Sequence, residues 1–283
     1  MPDAALLEDL LDRVRAQARP MGLSVNLDCP AIIELAPRMG LSWILINQDH
    51  TLIRDTRLLA EMIRAADATR LPHFVEIHDL DPTLVRDALD LGSYGVITPG
   101  VETAAQVEEL YKAVRYPPRG TRGFCSVGRM TGYSSEKYAA VAGGPGGMKD
   151  VLRFGNEHAL VIPTIATAAA VDNLDELMSI DDCKIWHLSF SNLNLSFGLD
   201  PEANPGRSAR LFVEIAKEIH AAGRMVSTMM VPVAGQTKDL AEGLDILGND
   251  LPYAIDSACL AFGMAEMRKI SETHQAMKLE AKG

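Results

Sequence analysis

The sequence predicts an α/β fold, a (β/α)8 TIM barrel formed by a single domain over residues 1–283. Short apolar runs alternate with amphipathic stretches, a pattern typical of parallel strands joined by crossover helices. About eight such units in roughly 250 residues match the usual size of a closed barrel. An open doubly wound sheet is the alternative, but no GxGxxG follows the first predicted strand.

Each predicted element follows from a local pattern of apolar residues. The predicted strands are Ser24–Leu27, Trp43–Ile46, Phe74–His78, Gly95–Thr98, Ala159–Ile165, Ile185–Ser189, Met225–Met230 and Tyr253–Ser257. The predicted helices between them include Thr56–Ala68, Pro82–Leu91, Thr103–Val114, Ser208–Ala222 and Lys238–Gly243. An additional helix over residues 4–18 precedes the first strand, and a last helix begins near Ala258.

Charge and composition limit the class of partner. Lys and Arg number 27 against 38 Asp and Glu, so the net charge is −11, which argues against nucleic acid as a partner. The four cysteines are far apart and form no CxxC, which is typical of buried thiols in a reducing compartment. No basic leader and no apolar run of about 18 residues are present, so we expect a cytoplasmic protein without a membrane partner.

The segment that follows the second predicted strand carries the most informative polar residues. Asn47, Asp49 and His50 come directly after the apolar run that ends at Ile46. Catalytic residues of a barrel lie at the carboxyl ends of its strands. We predict His50 as the general acid/base, Asp49 as the carboxylate that orients it, and Asn47 as a ligand of substrate or water. The alternative is a histidine with a packing role only.

Two residues of the third predicted strand are a second candidate pair. Glu76 and His78 are two apart, so both side chains would face the same side of a strand. A buried Glu76 would have a raised pKa and serve as a catalytic acid, unless Arg129 pairs with it. A third alternative is a transition-metal site formed by His50, Glu76 and His78.

One stretch is recognisable as a family signature. Residues 115–123, RYPPRGTRG, are very similar to the RYPPxGxRG signature of the HpcH/HpaI aldolases, the class II pyruvate aldolases. Residues 43–50, WILINQDH, resemble the family's WLxIDxEH, and the resemblance covers about residues 22–265. It implies a barrel, often a homo-hexamer with the last helix exchanged between subunits. It also implies a divalent ion that binds the enolate of a 2-oxo acid.

Three positions depart from the family pattern. The metal-binding Glu is replaced by Ala166, and the metal-binding Asp by Asn192. The third-strand Arg beside the enolate is replaced by Glu76. We therefore expect no cofactor at the inherited positions; Mg, Mn or Zn would require relocated ligands. An Arg in the long loop between residues 116 and 158 is matched by Arg129, which we predict as catalytic.

The remaining candidates are polar residues expected around the substrate. They are Arg122, Thr164, Ser191 and Asn192, with His78 from the third strand. We expect the long loop to lie over the catalytic end of the barrel. The predicted function is an aldolase-like carbon–carbon lyase acting on a hydroxylated or 2-oxo small metabolite. A lyase that decarboxylates or dehydrates, and a non-catalytic metabolite-binding barrel, are the alternatives.

Overall fold

The computed structural model describes residues 2–16, 20–131, 133, 148–229, 251–255 and 269. Its strands are β1 (Gly22–Val25), β2 (Trp43–Asn47), β3 (His73–Glu76), β4 (Gly95–Gly100), β5 (Leu160–Ile165), β6 (Ile185–Leu188), β7 (Met225–Met229) and β8 (Leu251–Ile255). All neighbouring strands are parallel and follow chain order, and β1 pairs with both β2 and β8. The predicted α/β fold with a curled parallel sheet is confirmed.

Helices separate the strands from β1 to β7 along the chain. They are α1 (Ala4–Arg15), α2 (Pro30–Leu35), α3 (Thr56–Thr69), α4 (Pro82–Leu91), α5 (Ala104–Val114), α6 (Met148–Arg153), α7 (Ala168–Asp172), α8 (Leu174–Met178), α9 (Phe190–Ser196) and α10 (Pro205–Ala221). The predicted helices over 238–243 and from Ala258 lie outside the described residues. The complete eightfold repeat and the exchange of the last helix therefore stay predictions. None of the helices that were placed could cross a bilayer.

Three helices that follow strands begin at side-chain caps visible in the sequence. The Asp55 carboxylate accepts from the Leu58 amide at 3.0 Å, and Asp81 accepts from the Thr83 amide at 2.7 Å. Thr103 forms a reciprocal capping box with Gln106 at the start of α5. Each cap stabilises its helix by about 1 kcal/mol, and together they fix where the loops after β2, β3 and β4 end.

Helix α1 covers the amino-terminal end of the sheet. Its apolar face, which includes Leu7 and Leu10, is buried. The Arg13 guanidinium donates to the Ser42 hydroxyl at 2.9 Å, just before β2. The Tyr94 hydroxyl, just before β4, accepts from the Asp3 amide at 2.9 Å. Because these contacts surround the starts of strands, α1 closes this end and leaves the carboxyl end for a site.

The signature segment lies at the amino-terminal end of the sheet, contrary to the prediction. The Arg115 guanidinium donates to the carbonyl oxygens of Gly155 and Ala159, at 2.6 and 2.8 Å, just before β5. The Tyr116 amide donates to the Asn156 side chain at 2.7 Å. Helix α5 has already returned the chain from the carboxyl end, so this connection joins a helix to a strand. The expectation that the loop covers the catalytic end is therefore wrong for its described part.

Candidate active site

A cavity of about 130 Å³ opens at the carboxyl ends of the strands. Its lining consists of Ser24, Asn26, Asn47, Asp49, His50, Glu76, Thr98, Pro99, Gly100, Thr164, His187, Ser189, Asn192 and Met229. These residues lie at the ends of β1 to β7 or in the loops that follow. Six predicted site residues come together here: Asn47, Asp49, His50, Glu76, Thr164 and Asn192. The volume suits a small metabolite, since drug-sized ligands occupy about 300–1,000 Å³.

Glu76 is the most perturbed acid of the cavity. It ends β3, where it lies in register with Asn47 on β2 and Ile97 on β4. Burial, and then the negative charge of Asp49, raise the pKa of Glu76 to about 7. Within the described part of the chain, no hydrogen bond or ion pair reaches its carboxylate. The group can therefore hold or release a proton near neutral pH.

Asp49 and His50 form an acid–imidazole pair beside Glu76. The Asn47 side-chain oxygen accepts from the Asp49 amide at 2.8 Å, which fixes the turn after β2. The Asp49 Oδ2 atom lies 3.2 Å from His50 Nε2. The Asp49 side chain is 20% exposed and that of His50 is 82% exposed. Asp49 thus stands at the cavity wall, and His50 stands at the rim with solvent access.

His187 supplies a neutral imidazole to the opposite wall. It lies on β6, in register with Thr164 on β5 and Ser227 on β7. Burial lowers the pKa of His187 to about 4, against a smaller opposing effect of a backbone hydrogen bond with Ser227. At neutral pH the ring is uncharged, so when its one N–H serves the Ser227 backbone the other ring nitrogen is left as an acceptor. Sequence reasoning did not predict this residue for the site.

The inherited metal positions do not fit the family's ion. Ala166 presents a methyl group, and a Cβ placed on Gly100 would lie only 3.1 Å from it. Asn192 offers a neutral amide, whereas hard divalent ions prefer anionic oxygens. Throughout the described ranges, no group of three or more His, Cys, Asp or Glu could hold a metal ion. The relocated site at His50, Glu76 and His78 is therefore not formed.

Two further predicted site residues are not brought to the cavity. Strand β3 ends at Glu76, so the alternation that would place His78 on the same face no longer applies. His78 is not among the lining residues, and its Nδ1 atom is buried without a hydrogen-bond partner. Ser191 lies exposed in the first turn of α9, outside the cavity lining.

The two predicted arginines lie outside the cavity. The buried Arg122 guanidinium contacts Asp90 Oδ1 at 2.6 Å and stacks 4.8 Å from the Tyr116 ring centroid. Arg129 pairs with Asp67 Oδ2 at 2.5 Å. Asp90 and Asp67 belong to the last turns of α4 and α3, at the end of the sheet opposite the site. The structure therefore does not bring Arg122 or Arg129 to this cavity, and Arg129 pairs with Asp67 in place of Glu76.

Other lining residues were also missed by sequence reasoning. Ser24, Asn26 and Thr98 interrupt or end apolar strands with a polar side chain, which is the signal that could have identified them. The Thr164 hydroxyl donates to the Thr98 carbonyl oxygen, and the Thr98 hydroxyl donates to the Pro99 carbonyl oxygen at 2.7 Å. The first of these bonds joins the adjoining ends of β4 and β5 at the cavity wall, and the second lies within β4.

The comparisons with known proteins agree with this architecture. The sequence model of the HpcH/HpaI aldolase/citrate lyase family matches residues 21–247. The chain belongs to this family. A 2-dehydro-3,6-dideoxy-6-sulfogluconate aldolase of Pseudomonas putida is 29% identical over 268 residues, 94% of this chain and 95% of that protein. A 2-keto-3-deoxy-L-rhamnonate aldolase of Escherichia coli K12 is 25% identical, with 81% of each chain covered. The predictions of the family and of a lyase are confirmed.

Solved structures show the same fold. An HpcH/HpaI aldolase/citrate lyase family protein from Burkholderia cenocepacia superposes with a TM-score of 0.77 at 21% identity, covering 93% of this chain and 99% of that one. An HpcH/HpaI aldolase from Desulfitobacterium hafniense gives a TM-score of 0.76 at 18% identity, covering 93% and 96%. At these identities the likeness concerns the fold alone.

Proposed function

We propose that this chain is a carbon–carbon lyase that cleaves a small hydroxylated carbonyl metabolite by acid/base chemistry. The observation that carries the proposal is Glu76, a half-buried carboxyl with a pKa near 7 in a cavity at the carboxyl end of the sheet. Perturbed acids in clefts are typical of catalytic sites. The aldolase names of its relatives favour carbon–carbon cleavage over other lyase reactions.

The first step is removal of a proton from the substrate's β-hydroxyl group. His50 takes this proton, and the Asp49 carboxylate 3.2 Å away stabilises the imidazolium that forms. The bond between the α- and β-carbons then breaks. Its electrons pass to the carbonyl oxygen of the remaining fragment, and the β-carbon leaves as an aldehyde.

The second step is control of the charge that develops on that oxygen. Protonated Glu76 donates its proton to the oxygen and forms an enol. The enol then takes a proton on carbon from the His50 imidazolium and returns its hydroxyl proton to Glu76. Both groups recover their starting protonation states.

This mechanism contains no step through a metal, because the donor set at the family's positions does not suit a hard dication. Ala166 and Asn192 are the residues concerned. The same replacements would suit a metabolite-binding protein without turnover. The complementary acid, imidazole and hydroxyl groups of the lining favour an enzyme.

Aldehyde release tests the proposal. Metal content is measured first, and hydroxylated aldehydes, ketones and 2-oxo acids are then screened with an aldehyde-trapping reagent before and after chelation. We expect turnover that survives chelation and falls about 10²–10⁴-fold in Glu76→Gln, the usual contribution of a general acid. The matched control Glu34→Gln changes an exposed glutamate on α2.

Other outcomes identify the alternatives. Near-stoichiometric metal with turnover abolished by chelation would contradict the metal-free mechanism. Release of carbon dioxide or water in place of an aldehyde would indicate a decarboxylase or a dehydratase. Ligand binding without any product would indicate a binding protein.

We also propose that residues 1–283 form one (β/α)8 domain and that the last helix is exchanged within a homo-hexamer. The family match over residues 21–247 and the strand order support the domain, and the family pattern supports the assembly. Light scattering should then give about six times the chain mass of 30.7 kDa. A monomer mass at working concentrations would contradict the assembly.

A further inference from the structure

The charge of the cavity lining is unusual for a site that would bind a carboxylate. Among its described residues the lining includes two acids, Asp49 and Glu76, and no arginine or lysine. Arg122 and Arg129 are held by Asp90 and Asp67 at the other end of the sheet. The Arg54 guanidinium donates to the Asp49 backbone oxygen at 2.6 Å and is not part of the lining.

The uncharged part of the lining is suited to hydroxyl groups. Amide and hydroxyl side chains from β1, β2, β4, β5 and the loop after β6 surround the cavity. Ser189 and Asn192 make no side-chain hydrogen bond with any residue that the structure describes, so their polar atoms are available to a ligand. Asn192 can both donate and accept, as can a ligand hydroxyl.

We propose that the cavity selects an uncharged polyhydroxylated aldehyde or ketone and discriminates against carboxylates, with Glu76 as the specificity-determining residue. This inference rests on the site of the proposed function and narrows its substrate class. Glu76 meets no cation among the described residues, and Asp49 adds a second negative charge beside it. A ligand carboxylate would face both, and no described residue of the lining offers a compensating cation.

The preference for neutral ligands should depend on pH, because Glu76 changes its charge near neutral pH. Asp49 and the two imidazoles, His50 and His187, are the other titratable groups of the described lining. His187 stays neutral over the range from about pH 5.5 upward, because its burial lowers its pKa. As pH rises through the pKa of Glu76, that residue becomes charged and discrimination against an anionic ligand should increase.

Calorimetric titration with ligand pairs that differ only in one group tests this directly. Dihydroxyacetone and hydroxypyruvate differ by a hydroxymethyl group and a carboxylate, and glyceraldehyde and glycerate differ by an aldehyde and a carboxylate. We expect the neutral member of a pair to bind about tenfold or more tightly at about pH 8.5, with a smaller ratio at about pH 5.5. Serinol, a cationic analogue, should bind no worse than the neutral compounds.

Variants connect the preference to one residue. Glu76→Gln keeps the shape of the side chain and should remove most of the pH dependence, whereas Glu34→Gln should leave it unchanged. Glu76→Arg should reverse the preference, so that the carboxylate of each pair binds more tightly. If the Glu76→Arg protein does not fold, the pH dependence measured with Glu76→Gln decides whether Glu76 sets the preference. Equal or tighter binding of the carboxylates by the native chain, or no binding of any neutral member, would overturn the inference. These titrations measure binding and not turnover. A failure of the proposed lyase reaction can therefore be distinguished from a failure of the binding preference.

Discussion

Replacement of Glu76 by Gln should change how the free energy of unfolding depends on pH. Burial and Asp49 raise the folded-state pKa of Glu76 from 4.5 to about 7. The folded protein therefore binds this proton more tightly than the unfolded chain, and the stabilising effect is fully present below about pH 4.5. It is lost as pH rises through 7. The difference of about 2.5 pKa units corresponds to at most about 3 kcal/mol.

Urea titrations followed by circular dichroism, at about pH 5 and about pH 8.5 and at one protein concentration, measure this effect. Glu76→Gln cannot ionise, so its free energy of unfolding should rise relative to the native chain by about 2–3 kcal/mol between the two pH values. Glu34→Gln, which alters an exposed glutamate, should show no such gain. A pH-independent difference between Glu76→Gln and the native chain would refute the assignment of a raised pKa to Glu76.

Three further predictions concern neighbouring charges and the opposite end of the sheet. Asp49→Asn removes the second cause of the shift, so the pH at which the Glu76 effect appears should fall in the same titrations. The pKa of His187 is depressed to about 4, so native stability should decrease by up to about 3 kcal/mol as pH falls from 6.5 towards 4; His187→Gln should lack this loss. Arg122→Met leaves Asp90 without its partner and should cost about 2 kcal/mol in urea unfolding, while ligand binding in the cavity is retained.

The strands could be predicted closely because a parallel sheet is buried on both faces. Apolar runs such as Trp43–Ile46 have no other favourable environment, and the observed strand extends one residue further, to Asn47. The starts of two helices could also be predicted, because Asp81 and Thr103 are residue types whose side chains accept hydrogen bonds from the unpaired backbone amides of a first helical turn. The carboxyl-end location of Asn47, Asp49, His50 and Glu76 followed from these elements.

The rest of the site depended on geometry that local patterns do not contain. His187 has apolar neighbours on both sides, and burial on both faces of the strand conceals which residues face the interior of the sheet. Only its register with Thr164 and Ser227 identifies the face. Arg122 and Arg129 were misplaced because the long connection follows α5, and a chain leaving a crossover helix has returned to the amino-terminal end.

The proposed chemistry of the cavity depends on one ionisation, that of Glu76. Carbon-13 NMR of protein labelled at glutamate side-chain carboxyls, titrated from about pH 3 to about pH 9, measures it without any substrate. We predict one resonance with a pKa near 7 that is absent from Glu76→Gln and moves to lower pH in Asp49→Asn. If the resonance missing from Glu76→Gln instead titrates in the native chain near the ordinary value of 4.5, Glu76 is not the acid of the site.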